Sequence, residues 1–118
     1  MTPGIYSFPN PLKRGDTFNG HQFEVLLNSV PVNFTGAVVK IQARRVPGSK
    51  VILEWTTANG GITISGASNN IINMETKTGL QMEVEPGTYM FDLNVVLSNG
   101  VTNTYVEGTF IIKNDISR

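Results

Sequence analysis

The stretch PGTYMFDLNVVLSNGVTNTYVEGTFIIK, residues 86–113, decides the fold. It reads as two long strands around Asn99-Gly100, and Asn-Gly is the preferred pair for a two-residue type I′ turn because both central residues need positive φ. That turn would set Ser98 opposite Val101 and place Leu93 against Val106, Phe91 against Gly108 and Tyr89 against Phe110. Directly opposed residues share a face. Tyr89, Phe91, Leu93, Val95 and Leu97 then line one apolar face with Val106, Gly108 and Phe110, while Asp92, Asn94, Asn103 and Glu107 line the other. Turn chemistry and period-2 alternation agree, which is what a hairpin with one buried face requires.

Outward from this hairpin the pattern continues. FEVLL, residues 23–27, is the clearest part of a strand predicted over Asp16–Leu27, turned by Asn28-Ser29. In AVVKIQARR, Val39, Ile41 and Ala43 alternate with Lys40, Gln42 and Arg44, a half-buried strand. Pro47-Gly48 breaks it. Val51, Leu53 and Trp55 then point inward with Glu54 outward. Asn59-Gly60-Gly61 turns into Ile62-Thr63-Ile64, and residues 71–74, IINM, form a further strand. Residues 75–85 read as irregular chain or a single helical turn. Short strands punctuated by glycine and proline turns every ~8–12 residues indicate a sandwich or barrel. Pro86-Gly87-Thr88-Tyr89 opens the hairpin in the manner of a tyrosine corner, and Trp55 takes the place of a central core tryptophan. The fold class expected is therefore all-β: an immunoglobulin-like antiparallel β-sandwich in a single domain. The aromatic centre is expected to join Trp55 to Phe91 and Tyr89. The predicted boundaries are an extended arm over 1–14, the sandwich over 15–113 and a C-terminal tail over 114–118.

The arm contains Pro3, Pro9 and Pro11, which remove donors and favour extended chain. It also carries Ile5, Tyr6 and Phe8, so it either packs on its own domain or docks on a neighbour.

Composition narrows the chemistry. A chain of 118 residues with 40% hydrophobic content can build one core without help from disulfides, and it has no cysteine. No apolar run approaches a membrane span. The start, MTPGIYSFPNPLKRGD, lacks the order of a secretory leader, so a soluble, unexported chain is expected. Nine basic and nine acidic residues balance, giving no overall field for nucleic acid or an anionic membrane. The charges are unevenly placed. Through Lys50 there are six basic residues against Asp16 and Glu24, and beyond it three against seven carboxylates. Pairing of the two parts within the molecule is the simpler reading, and head-to-tail contact between copies is the other.

Candidate motifs are few. Arg14-Gly15-Asp16 matches an integrin tripeptide, but it also suits the start of a strand. Asn33-Phe34-Thr35 is a glycosylation sequon, which reads as a coincidence in a chain expected to be unexported. His21, the single histidine, has no nucleophile or orienting partner at a recognisable spacing. Asp92 and Glu107 oppose each other on the hairpin. A glycosidase would use such a pair in a cleft, whereas a flat sheet needs a cation beside them, and Lys40 or Arg44 on a neighbouring strand would supply it. Lys40, Arg44, Arg45 and Lys50 cluster around one turn without interleaved aromatics, which favours a solvated or partner-docking face over nucleic-acid binding. No catalytic residue, cofactor site or metal site is expected, and the chain is read as a non-enzyme.

Several of these pieces together resemble a known family. They are Arg14-Gly15-Asp16-Thr17-Phe18, residues 31–37 leading into 38–45, Arg45-Val46-Pro47-Gly48-Ser49, Asn59-Gly60-Gly61-Ile62, Pro86-Gly87-Thr88-Tyr89 with Phe91-Asp92-Leu93, and Glu107-Gly108-Thr109-Phe110. The pattern is similar to the N-terminal β-sandwich domain of phage upper-baseplate and tail-adaptor proteins, which attach receptor-binding proteins to the tail. It spans roughly Lys13 to Lys113, with Asn33-Phe34 where an acidic residue and leucine are more usual. The resemblance implies a virion structural protein of a phage or prophage tail, made in the host bacterial cytoplasm. Its partners would be other tail proteins and copies of itself, with no nucleic acid and no membrane. Candidate partner contacts are Ile5, Tyr6, Phe8, Arg44, Arg45 and Lys50. A carbohydrate-binding sandwich is the alternative; it would need exposed aromatics, for which Tyr6 and Tyr105 are the candidates.

Overall fold

Among the described residues, eleven strands account for nearly all the regular structure: β1 (Gly4–Ser7), β2 (Leu12–Lys13), β3 (His21–Glu24), β4 (Leu26–Leu27), β5 (Val30–Pro31), β6 (Val38–Arg44), β7 (Leu53–Thr56), β8 (Ile62–Ser65), β9 (Ile71–Met74), β10 (Gly87–Val96) and β11 (Thr102–Lys113). The computed structural model describes residues 4–7, 12–27, 29–46, 48–78 and 80–113, with backbone alone at 4–7, 12 and 13. Phe8, Asn28, Pro47 and the tail over 114–118 lie outside the described residues.

The large sheet runs β1-β11-β10-β6-β7, with β2 also on β11, and a second sheet runs β3-β9-β8. The two pack as an immunoglobulin-like sandwich, antiparallel except where β1 and β2 run parallel to β11. The predicted alternation holds on the central strands. Val39, Ile41 and Ala43 of β6 and Tyr89, Phe91, Leu93 and Val95 of β10 are buried. Phe23 of β3 meets Phe91 at 6.5 Å between ring centroids and so carries the core from one sheet to the other. Tyr89 stacks on Phe110 at 5.6 Å. The tyrosine corner forms, with the Tyr89 hydroxyl donating to the Glu85 carbonyl. Gly87 begins the strand at φ 154°, a backbone conformation that residues with a Cβ rarely adopt. Only glycine suits that conformation.

The hairpin turn departs from expectation. Only Gly100 of the Asn-Gly pair has positive φ, at 88°. Gly100 N–H donates to the Leu97 carbonyl and Leu97 N–H to the Val101 carbonyl, so three residues, 98–100, form the loop and Leu97, not Ser98, pairs with Val101. This loop, with its left-handed glycine, is the next commonest hairpin connection. Alone it would move every pair by one position. A bulge undoes the shift: Leu93 pairs with Val106 but Asn94 with Thr104, leaving Tyr105 as the extra residue. Below the bulge, Leu93–Val106, Phe91–Gly108 and Tyr89–Phe110 pair as the sequence predicts. Bulges re-aim side chains, and Tyr105 is buried, its ring 5.4 Å from Phe34 in an edge-on contact. The exposed tyrosine expected at 105 is thus a core residue.

Other differences follow from strand order. Trp55 is buried as expected, but β6 lies between it and β10, with Trp55 opposite Ile41 and Ile41 opposite Leu93. Its aromatic partner is therefore Phe18, at 5.2 Å, and not Phe91 or Tyr89. Lys77 lies 4.8 Å over its ring and the indole N–H donates to the Glu75 carbonyl at 3.1 Å. The predicted long first strand is divided into a bridge at Phe18–Lys77, β3 and β4. Val51 lies just before β7 and is partly exposed. The described part of 75–85 is irregular chain that buries Met82, with one Met82 N–H to Thr78 carbonyl bond.

The bulge makes a stability prediction. Tyr105→Ala should cost ~3–5 kcal/mol in urea unfolding, the range for removing a large buried aromatic. A change within about 0.5 kcal/mol, typical of surface sites, would return Tyr105 to the exterior.

Candidate partner-contact surface

Arg44 ends β6 and Arg45 lies in the bend that follows, and the two serve different surfaces. Arg45 belongs to the tyrosine corner. Its guanidinium lies 5.2 Å from the Tyr89 ring centroid, pairs with Glu85 at 3.0 Å and donates to the Pro86 carbonyl at 3.2 Å. Lys50 lines the same shallow concavity of about 260 Å³, beside Val84 and Ile52. The Tyr89 phenol is pushed above its usual range chiefly by burial, with Arg45 opposing and Glu85 adding. Arg45 and Lys50 are therefore brought together. Arg45 is spent holding the corner.

Arg44 lies on the outer face of the large sheet, opposite Met90. There Gln42, Arg44, Met90, Asp92, Glu107 and Thr109 border a concavity of about 400 Å³. Asp92 and Glu107 oppose each other as predicted. The neighbouring cation is Arg44, which favours the Asp92 carboxylate, but burial outweighs it and Glu107 adds to the effect, so Asp92 titrates above the ordinary carboxylate value. Arg44 Nη2 donates to Gln42 Oε1 at 3.1 Å, while its Nε is buried without a hydrogen-bond partner among the described residues. The backbone of Ile5 and Tyr6 runs alongside, in register with Glu107 and Gly108. Phe8, the third apolar arm candidate, is outside the described residues.

The other sheet has a polar exterior. Gln22 Nε2 donates to Asn73 Oδ1 at 2.7 Å, Asn73 Nδ2 to Ser65 Oγ at 2.9 Å, and Thr63 Oγ1 to Glu75 Oε1 at 3.1 Å. His21 stands at the rim of this surface, its ring 4.8 Å from Phe23, and burial lowers its pKa. Among the described residues no three of His, Cys, Asp and Glu gather as metal ligands would. The chain's two oppositely charged parts meet within the molecule through Arg45–Glu85 and through Arg44 beside Asp92. Tyr105, inside the core, cannot serve as a sugar-stacking ring.

No protein-family model matches the chain, and no curated protein does either. Among solved structures it is similar to CopC from Methylosinus trichosporium OB3b, at 13% identity and TM-score 0.44, over 88% of this chain and 84% of that one. It is also similar to murine CRIg, at 13% identity and TM-score 0.42, over 98% and 95%.

Asp92 gives a pH prediction. A carboxyl whose folded-state pKa lies above its unfolded value binds its proton more tightly when folded, so its ionisation destabilises the fold as pH rises from the unfolded value through the folded one. Asp92→Asn should therefore raise the urea midpoint at pH 7, and the gain should fade as pH falls below the ordinary carboxylate value. A lower midpoint for the variant at pH 7 would mean that Arg44 outweighs burial.

Proposed function

We propose that this chain is a non-enzymatic structural module of a phage or prophage tail or baseplate. It is made in the bacterial cytoplasm and built into the virion, where it joins tail proteins to one another. The reading rests on the resemblance over Lys13–Lys113, and one observation gives that weight. Its motif residues are the ones on which this sandwich turns. Arg45 and Pro86-Gly87-Thr88-Tyr89 make the corner. Gly15 N–H closes onto the Met82 carbonyl, and Arg14 N–H onto that of Lys113. Phe91 opposes Gly108, and Phe110 stacks on Tyr89. A motif set that specifies corners and core transmits a fold used as a rigid spacer, and in such modules function lies in the surfaces. The arm suits assembly as well: β1 and β2 add strands along β11, the same strand-addition chemistry by which extended segments bind sheet edges elsewhere.

The test is location. In the bacterium that encodes the chain, tail particles released by prophage induction or infection should contain it in fixed ratio to other tail proteins after gradient purification. An antibody against it should label the tail by electron microscopy. Its absence from purified particles, with the protein recovered only from the cell, would overturn the assignment.

A further inference from the structure

Two Asn-Gly pairs stand in turns of this chain, Asn59-Gly60 between β7 and β8 and Asn99-Gly100 between β10 and β11, and all four residues are exposed. In this dipeptide the asparagine carboxamide is open to attack by the backbone nitrogen of the next residue, because glycine has no side chain to hold the two apart. The two turns present that nitrogen and that carboxamide differently.

At Asn99 the nucleophile is engaged. Gly100 N–H donates to the Leu97 carbonyl at 2.8 Å, and it must give up that bond before it can lose its proton. Asn99 Oδ1 accepts from the Val101 N–H alone, at 3.0 Å. At Asn59 the arrangement is reversed. Gly60 N–H has no hydrogen-bond partner among the described residues, and a Cβ on Gly60 would meet nothing within 4 Å, so the nitrogen is open to water. Asn59 Oδ1 accepts from two backbone donors, the Gly61 N–H at 2.8 Å and the Thr56 N–H at 3.2 Å. Both donors are held by the sheets. Thr56 is buried at the end of β7, paired with Lys40 of β6. The Gly61 carbonyl accepts from Glu75 N–H at 2.9 Å, and a Cβ on Gly61 would lie 3.1 Å from the Trp55 Cα. Two fixed N–H groups converging on one carbonyl oxygen are what stabilises an oxyanion when the carbonyl carbon is attacked.

We propose that Asn59 is a self-modification site, at which the β7–β8 turn promotes cyclisation of the carboxamide onto Gly60 and its conversion to an acid. Water takes the proton of the Gly60 nitrogen, which attacks Asn59 Cγ as negative charge develops on Oδ1 beneath the two N–H groups. The tetrahedral centre collapses with cleavage of the Cγ–Nδ2 bond, and Nδ2 leaves as ammonia with a proton from water. The product is a succinimide. A second water opens the ring at either carbonyl, to aspartate or isoaspartate, and the Gly60 nitrogen regains its proton. Water enters, ammonia departs, and nothing is oxidised or reduced. The new carboxylate places a charge in the stretch between Glu54 and Glu75, which has none. As aspartate it can keep both N–H groups in charge-assisted bonds, so the turn accommodates the product. The reaction does not depend on the tail assignment above, since it concerns only this chain.

The full chain, held near neutral pH at physiological temperature and sampled over weeks, tests it. Peptide mapping by mass spectrometry follows Asn59 and Asn99 separately, and incubation in heavy-oxygen water separates conversion in the folded chain from conversion during digestion. Asn59 is expected to convert at least about tenfold faster than Asn99, less than one oxyanion donor contributes in an enzyme. Ion-exchange chromatography should resolve the product as a species with one added negative charge. In urea, where the turns are lost, the two rates should converge and that of Asn59 should fall. The proposal is overturned if Asn99 converts as fast as Asn59 in the folded chain or if neither converts. It is equally overturned if the same preference persists in urea, which would assign it to local sequence. Slower conversion of Asn59 in the folded chain than in urea would also overturn it, because the two bonds would then be locking the carboxamide away from Gly60.

Discussion

Strand β10 is hydrogen-bonded along both edges, to β11 on one side and to β6 on the other, and the rest of the sandwich takes its position from that double pairing. Ten residues held on two sides have no freedom to exchange faces, because a slip by one position would turn Tyr89, Phe91, Leu93 and Val95 out to water. The buried face so fixed receives Phe23 from the second sheet and Phe110 from β11. Its first turn is fastened by the Tyr89 hydroxyl on the Glu85 carbonyl, with Arg45 laid over the ring and paired to Glu85. The corner thus ties β6 to the chain entering β10 at the point where the strand would otherwise fray.

Much of this could be read from residue patterns, for a physical reason. Strand alternation and the Pro-Gly-Thr-Tyr corner are local signals, and the core faces of β6 and β10 follow from them directly. The turn at Ser98–Gly100 shows how local reasoning can reach sound pairs through a wrong intermediate. Asn-Gly favours a two-residue loop; the chain uses three, and the bulge at Tyr105 restores the offset. Nothing in the sequence around Tyr105 marks the bulge, since its reward is a contact with Phe34, some seventy residues earlier. Alternation puts Trp55 inside, where it lies, but not beside its actual partner Phe18, because alternation tells which face a side chain takes and not which strand lies beside it. Leu26 and Leu27 were not legible: alternation on the strand expected through Leu27 would bury one of two adjacent residues, but both are exposed on the two-residue β4.

The molecule's surfaces divide by chemistry. Arg45 and Glu85 are committed to the corner. On the outer face of the large sheet, Arg44 offsets a desolvated Asp92 beside Glu107. These charges stabilise or neutralise the sandwich's own structure, and of the sequence-predicted contacts Arg44 and Arg45 belong to that internal work.

Amide hydrogen exchange followed by NMR tests the central role of β10 most directly. The account predicts that its bonded amides, with those facing them on β6 and β11, exchange slowest and only through global unfolding, while β8, at the edge of the smaller sheet, exchanges faster by local opening. Amides of β10 that exchange as fast as those of β8 would contradict it.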